Sequence, residues 1–247
     1  MNTRTLLATI ILLNIKFLYG QVDETRNFIY LYSDSVVYGE IIEFKTPFLG
    51  ASHILVDSRK YSTELIKFYR NETGFYANTK EVYISLTPYF TQRIRSGRLN
   101  LFESDIVKYT SGHFSSSTGH YTPGSSTRKI KNYYNKGYSN LKKANYKNLS
   151  LDLTDNPKSM LYLKKYKSAT TGQTVLYLVG GAIAAGGLAT LIIKTNDADF
   201  GSESGPNITS NFVVTGIGAG MVGVGYYISL NKPKHLRNAI TVYNSNR

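Results

Sequence analysis

Few residues in this chain are of a type that does chemistry, and their spacing points to binding more than to catalysis. There are four histidines and no cysteine in 247 residues. Without cysteine there is no disulfide, thiolate metal site, thiol nucleophile or lipid-modified cysteine. The acids of the first half (Asp34, Glu40, Glu43, Asp57, Glu64, Glu72, Glu81, Glu103 and Asp105) are scattered. Glu40 and Glu43 lie three apart, so on a strand they face opposite sides and make no acid/base pair. His53 stands alone, and His113 and His120 flank a serine-rich stretch without a third ligand at a metal-site spacing. Arg93, Arg95 and Arg98 surround Gly97. Such a group can grip a phosphate or carboxylate, but it equally describes a hairpin turn with charged edges, the preferred reading. No cofactor and no metal are expected.

Positive charge is the stronger signal. The chain holds 29 Lys+Arg against 16 Asp+Glu, a net charge of +13. Arg128, Lys129, Lys131, Lys142, Lys143 and Lys147 fall in a run without an acid, interleaved with Tyr133, Tyr134, Tyr138 and Tyr146. Lysines with stacking tyrosines are one way to hold single-stranded nucleic acid. The same composition describes a polybasic segment on anionic lipid, or a plain solvated face. With no nucleic-acid-binding motif in view, the expectation for these six residues is contact with an anionic lipid surface.

The elements that must position these groups divide the chain. Over 21–108, runs such as Phe28–Tyr32, Val36–Phe44, His53–Val56, Leu65–Tyr69, Phe75–Ala77 and Val82–Leu86 recur between Gly, Asn and Asp breaks. That pattern predicts a small antiparallel β-rich domain, a meander or small barrel. Residues 109–147 read as a Ser/Gly-rich and basic linker. Asp155-Asn156-Pro157 predicts a helix start, with a side-chain cap followed by proline in the first turn.

Residues 148–231 then read as a helical region with two membrane-length helices, about 174–193 and 211–230, ahead of a basic tail at 232–247. No charge falls between Lys167 and Lys194 or between Glu203 and Lys232, and each stretch approaches the ~20 residues that cross a bilayer. Small residues recur four apart: Gly180 with Ala184; Gly181, Ala185 and Ala189; Gly216 with Gly220; Ala219 with Gly223. In lipid such spacing lets helix backbones approach closely, so the Gly181 stripe is expected to meet the Gly216–Gly220 stripe. The fold class expected is therefore α+β: an antiparallel β-rich N-terminal domain, a basic linker, and a glycine-rich transmembrane hairpin.

At the N-terminus, Arg4 precedes an apolar run of about ten residues, and Gly20 offers a small residue before Gln21, as in a signal peptide over 1–20. An exported head would place the loop bearing Lys194, Asp197, Asp199 and Glu203 in the cytoplasm. Lys164, Lys165, Lys167, Lys232, Lys234 and Arg237 would then lie outside, against the positive-inside tendency.

Taken with Tyr19-Gly20-Gln21, Gly74-Phe75-Tyr76-Ala77, Gly97-Arg98-Leu99-Asn100-Leu101-Phe102, Asp155-Asn156-Pro157 and Ala239–Asn244, the chain resembles uncharacterised exported proteins of Bacteroidota. Its hairpin resembles the glycine-zipper two-helix segments of envelope proteins, without their lipid-anchoring cysteine. The resemblance carries no activity with it. The expectation is a non-enzymatic envelope protein with an extracytoplasmic, periplasmic head for binding or assembly, anchored in a membrane. The alternatives are a self-assembling membrane homo-oligomer, or an enzyme whose acid/base site has no motif.

Overall fold

The computed structural model describes residues 22–82, 90–117, 119–196 and 209–245. The signal peptide expected over 1–20, the strand expected beyond Val82 and most of the loop between the long helices lie outside them. The described residues form two units. One is a β-rich head, running to Ser96 and resuming over Asn100–Lys143; the other is helical and takes in Gly97–Leu99 and the chain from Ala144 onward. The α+β class is as expected.

The head is built on strands β1 (Phe28–Leu31), β2 (Val36–Tyr38), β6 (Ile66–Asn71), β7 (Gly74–Asn78), β8 (Phe90–Arg95), β9 (Asn100–Thr110), β12 (Ser125–Asn135) and β13 (Lys142–Lys143). They form one open antiparallel sheet in the order β13-β12-β9-β8-β7-β6-β1-β2. A second sheet joins β3 (Ile42–Lys45), β4 (His53–Val56) and β5 (Arg59–Ser62), and a short ladder pairs β10 (His113–Ser115) with β11 (His120–Thr122). With edges at β13 and β2, the large sheet is open and is not a closed barrel.

Alternation along the strands, shifted by an irregularity between Ile66 and Phe68 of β6, feeds two cores, because successive side chains leave a strand on opposite faces. Phe28, Phe68, Phe75, Phe102 and Tyr133 fill one face, and Ile29, Ile66 and Tyr69 join Ile42, Ile54 and Val56 of the small sheet on the other. The run expected as one strand over Val36–Phe44 is broken at Gly39. There the Asp57 carboxylate accepts from the Glu40 and Ile41 amides, each at 2.9 Å. A Cβ on Gly39 would press on Val56 at 2.5 Å. The break sends β2 and β3 into different sheets.

The largest departure from expectation lies at 109–147. This stretch contains β10 to β13, and β12 pairs with β9 over eleven consecutive residues, from Ser125↔Thr110 to Asn135↔Asn100. The outer half of β12 is exposed and, apart from Ile130, polar, so no apolar alternation announces it. The backbone ladder with β9 makes it a strand.

In the helical unit, α1 (Tyr146–Asp152) starts at Asn145, whose side chain accepts from Asn148 N. Helix α2 (Pro157–Asn196) starts as predicted: Asn156 Oδ1 accepts from Ser159 N at 3.0 Å, and Pro157 takes the first position, where no N–H is needed. Helix α3 (Thr209–Ser245) continues through Pro233, so the residues expected as a basic tail are helical as far as Ser245.

Candidate functional site: the helical hairpin and its polar base

At 40 and 37 residues, α2 and α3 reach about 60 and 55 Å at 1.5 Å per residue, against ~30 Å for a bilayer core. Only 11% of the most apolar 18-residue window of each is buried. Val175, Leu178, Ile193, Phe212, Ile217 and Val224 are exposed. Each helix is long and apolar enough to cross a membrane.

What holds the pair together is a seam in which glycines admit the facing helix. A Cβ on Gly180 would stand 2.8 Å from the Gly218 carbonyl oxygen and from Met221 Cβ. One on Gly218 would stand 2.6 Å from the Gly180 oxygen and 2.9 Å from Ala184 Cα. A Cβ on Gly187 would stand 2.9 Å from the Thr215 amide nitrogen, and one on Gly225 would stand 2.8 Å from the Tyr177 ring. The seam positions are thus 177, 180, 184 and 187 on α2 and 215, 218 and 225 on α3. They follow the alternating three- and four-residue steps by which two slightly crossed helices stay in contact.

Of the eight packing residues expected from sequence, Gly180 and Ala184 lie in this seam. The other six do not. An added Cβ on Gly181, Gly216, Gly220 or Gly223 meets nothing within 4 Å, and Ala185 and Ala189 are exposed. The reason is geometric. Residues strictly four apart advance 400° and drift off a facing helix, whereas alternating three and four stays on it. Gly187, Gly218 and Gly225 were missed, although the 3–4 spacing of Gly180, Ala184 and Gly187 was there to be read.

Below the apolar stretch the unit turns polar. Lys232 Nζ donates to Gln173 Oε1 at 3.1 Å, tying α3 to α2. Beyond that level, α1, the first turns of α2 and the last turns of α3 bury Leu149, Leu153, Leu163, Leu236, Ala239, Ile240 and Tyr243. Lys164, Lys165, Lys167, Lys232 and Lys234 belong to this base, with Lys167 against the Tyr146 ring at 4.6 Å. The base also clamps the loop Gly97–Leu99. Leu99 N donates to Asn244 Oδ1 at 3.0 Å, and Asn244 Nδ2 donates back to the Leu99 carbonyl at 2.9 Å. Arg98 pairs with Asp155 at 2.8 Å and lies 4.3 Å from the Tyr243 ring centre. The Arg98 hydrogen bond holds the Asp155 carboxyl below its ordinary value, against a smaller opposing effect of desolvation. Asn244→Ala should destabilise the helical unit by about 1–2 kcal/mol, two hydrogen bonds being lost. Asn244→Asp, which turns a carboxylate oxygen toward the Leu99 carbonyl, should be no milder than alanine; thermal unfolding of the full chain in detergent checks both.

Of the arginines around Gly97, Arg93 and Arg98 each pair with a carboxylate of their own unit. Arg93 belongs to the head, where its Nη1 and Nη2 donate to the two oxygens of Glu24 at 3.0 and 2.5 Å. Tyr138 OH adds a third bond to Glu24 Oε1 at 2.7 Å, and the Arg93 guanidinium lies 3.8 Å from the centre of the Phe75 ring. Both carboxylate oxygens are engaged, which makes this a structural tie across the aromatic core.

The six expected lipid-contact residues are dispersed over three elements and both units. Arg128, Lys129 and Lys131 lie on β12, with Arg128 ion-paired to Asp105. Lys142 and Lys143 form β13, and Lys147 lies on α1. His53 Nδ1 lies 3.3 Å from the Ala51 carbonyl. No group of three metal-ligating side chains occurs among the described residues.

No family model, characterised protein or solved structure matches the chain.

Proposed function

We propose that this chain is a membrane-anchored protein of the cell envelope, in which the α2–α3 hairpin is the anchor and the head is a binding or assembly module. The observation that carries the reading is the pairing of a backbone-close glycine seam with almost uncovered apolar outer faces. In water, exposed glycines in long helices lose about 1 kcal/mol each relative to alanine, and among the described residues little covers the apolar sides. In lipid both features are favourable. The lysines at the base suit anionic headgroups at about 1 kcal/mol each near the surface, which makes them better placed for lipid than the dispersed set at 128–147. The periplasmic side for the head rests on the N-terminal pattern alone.

Alkaline carbonate washing of membranes from expressing cells tests the anchor. The full chain should stay in the pellet, and Ile217→Asp with Val224→Asp, two charges on the outer face of α3, should release it or prevent its accumulation. Full extraction of the unaltered chain would overturn the anchor. A second reading, a membrane oligomer assembled through the hairpin, is favoured by the open sides of Gly181, Gly216, Gly220 and Gly223, each able to admit another helix.

A further inference from the structure

The head carries two exposed surfaces of opposite charge. The first is the far half of the β9–β12 hairpin. Strand β8 matches β9 at Gln92↔Glu103, and β13 matches β12 only at Tyr133 and Tyr134. Beyond those points the hairpin leaves the sheet as an arm, crowned by β10 and β11. Among the described residues, β12 from Ser125 to Ile130 pairs with β9 alone. An isolated two-stranded hairpin is marginally stable in water, yet this one exposes Tyr109 (83%), Phe114 (60%), Tyr121 (61%) and Ile130 (51%). Between Ser104 and Lys131 the sequence holds four Lys or Arg and one acid. Arg128 and Lys129 are exposed.

The second surface is its opposite in charge. A groove of about 500 Å³ runs beside β3, an edge strand, and is lined by Glu40, Ile41, Glu43, Phe44 and Glu72. Lys45, at the same groove, pairs with Glu43 at 2.9 Å, which leaves the groove net acidic. Ile41 is 63% exposed, and the loop that follows β3 exposes Phe48 and Leu49.

These surfaces lie at opposite ends of the sheet. The groove includes Asn71, Glu72 and Thr73, the β6–β7 turn. By register, that turn is level with the start of β9, because Tyr76 pairs with Gln92 and Gln92 with Glu103. The arm departs from the other end of β9. The two cannot meet within one head.

We infer that the groove receives the arm of a second copy of this chain, so that heads join head to tail. The match is of charge and of apolar surface together: Lys129 and Arg128, the latter shared with Asp105 of the arm, against Glu40, Glu43 and Glu72, and the arm's aromatics against Ile41 and its neighbours. A contact between two different surfaces of one chain is heterologous and propagates into a ring or a filament. The inference rests on reading the head as an assembly module, and it is independent of how the hairpin sits in lipid.

The test uses the full chain in detergent micelles, sized by light scattering. Oligomers should grow with concentration at low salt and fall apart near 1 M salt, where screening acts within about 3 Å. Arg128→Glu with Lys129→Glu, or Glu40→Lys with Glu43→Lys and Glu72→Lys, should each give monomers. An equimolar mixture of the two variants should restore growth, since the unaltered arm of one fits the unaltered groove of the other and the two reversed surfaces are again opposite in charge. Thr127→Cys combined with Thr73→Cys should yield a disulfide ladder on oxidation, and neither cysteine alone should, in a chain with no other cysteine. This readout stands even where the charge variants fold poorly.

An unaltered chain that is monomeric at every concentration would overturn the inference. So would dimers linked through Thr127→Cys alone, which mean arm-to-arm contact, or oligomers unaffected by the charge variants, which mean contact through the hairpin. Loss of binding to anionic phosphatidylglycerol vesicles without change in oligomer size would assign the arm to lipid instead. Carbonate resistance measured on the same variants separates failure of this contact from failure of the anchor.

Discussion

Leucine in place of Gly218 should separate α2 from α3, while leucine in place of Gly220, two residues away, should be tolerated. At 218 even a methyl group would stand 2.6 Å from the Gly180 carbonyl oxygen. The obstacle is backbone, which cannot rotate aside as a side chain does. The helices must move apart by more than an ångström, losing van der Waals contact along several turns. We expect about 3 kcal/mol or more, the upper part of the range for overpacking. At 220 an added Cβ meets nothing within 4 Å, so an effect within about 0.5 kcal/mol is expected. Steric trapping or denaturation in mixed micelles would report the difference. Equal tolerance at both positions would mean the seam is not the contact described. A defect at Gly220 comparable to that at Gly218 would point to a further helix on the open side.

Glu24→Gln is expected to have the second largest effect, and to change the response to pH. Burial raises the Glu24 carboxyl, but the hydrogen bonds from Arg93 and Tyr138 outweigh it, and the net displacement is downward. A carboxyl depressed in the folded state lends stability that is fully present above its ordinary value and is lost as pH falls through the depressed one. Wild-type stability should therefore decline on acidification from about pH 4 downward, and the variant should lack that component of the decline. At neutral pH the variant strands Arg93, whose side chain is only 9% exposed, while Glu24 is 35% exposed. Because the pair is only partly buried, we expect about 2–3 kcal/mol, below the roughly 3–5 found on breaking a fully buried pair. The chain has no tryptophan, so near-ultraviolet dichroism in urea follows the tyrosines. Parallel stability–pH curves for wild type and variant would sink the assignment.

The head was legible where two cores made both faces of a strand apolar or alternating, as in Phe28-Ile29-Tyr30-Leu31. It was illegible where a strand is specified by its neighbour, as in the Ser125–Ile130 half of β12. The start of α2 could be read because its cap is local: Asn156 and Pro157 act within one turn. On α2 the seam could be read in part, at Gly180 and Ala184, but its α3 side could not, since facing residues are chosen by the crossing of two helices and not by the content of one. The Glu24–Arg93–Tyr138 tie joins positions 69 and 114 residues apart in sequence. No spacing rule reaches so far.

The clamp on Gly97–Leu99 also sets an order of events. Asn244 holds Leu99 across 145 residues, and the entropy of closing a loop that long must be spent before the two hydrogen bonds form. During synthesis the residues of every strand up to Lys143, all of α2 and all but the last residues of α3 have been made before Asn244 is joined to the chain. The clamp is therefore a late step, and until it closes, Arg98 lacks the Tyr243 ring on which it finally rests. Folding of the helical unit should accordingly be slower than local helix formation, with its rate set by how soon the end of α3 returns to a loop made long before.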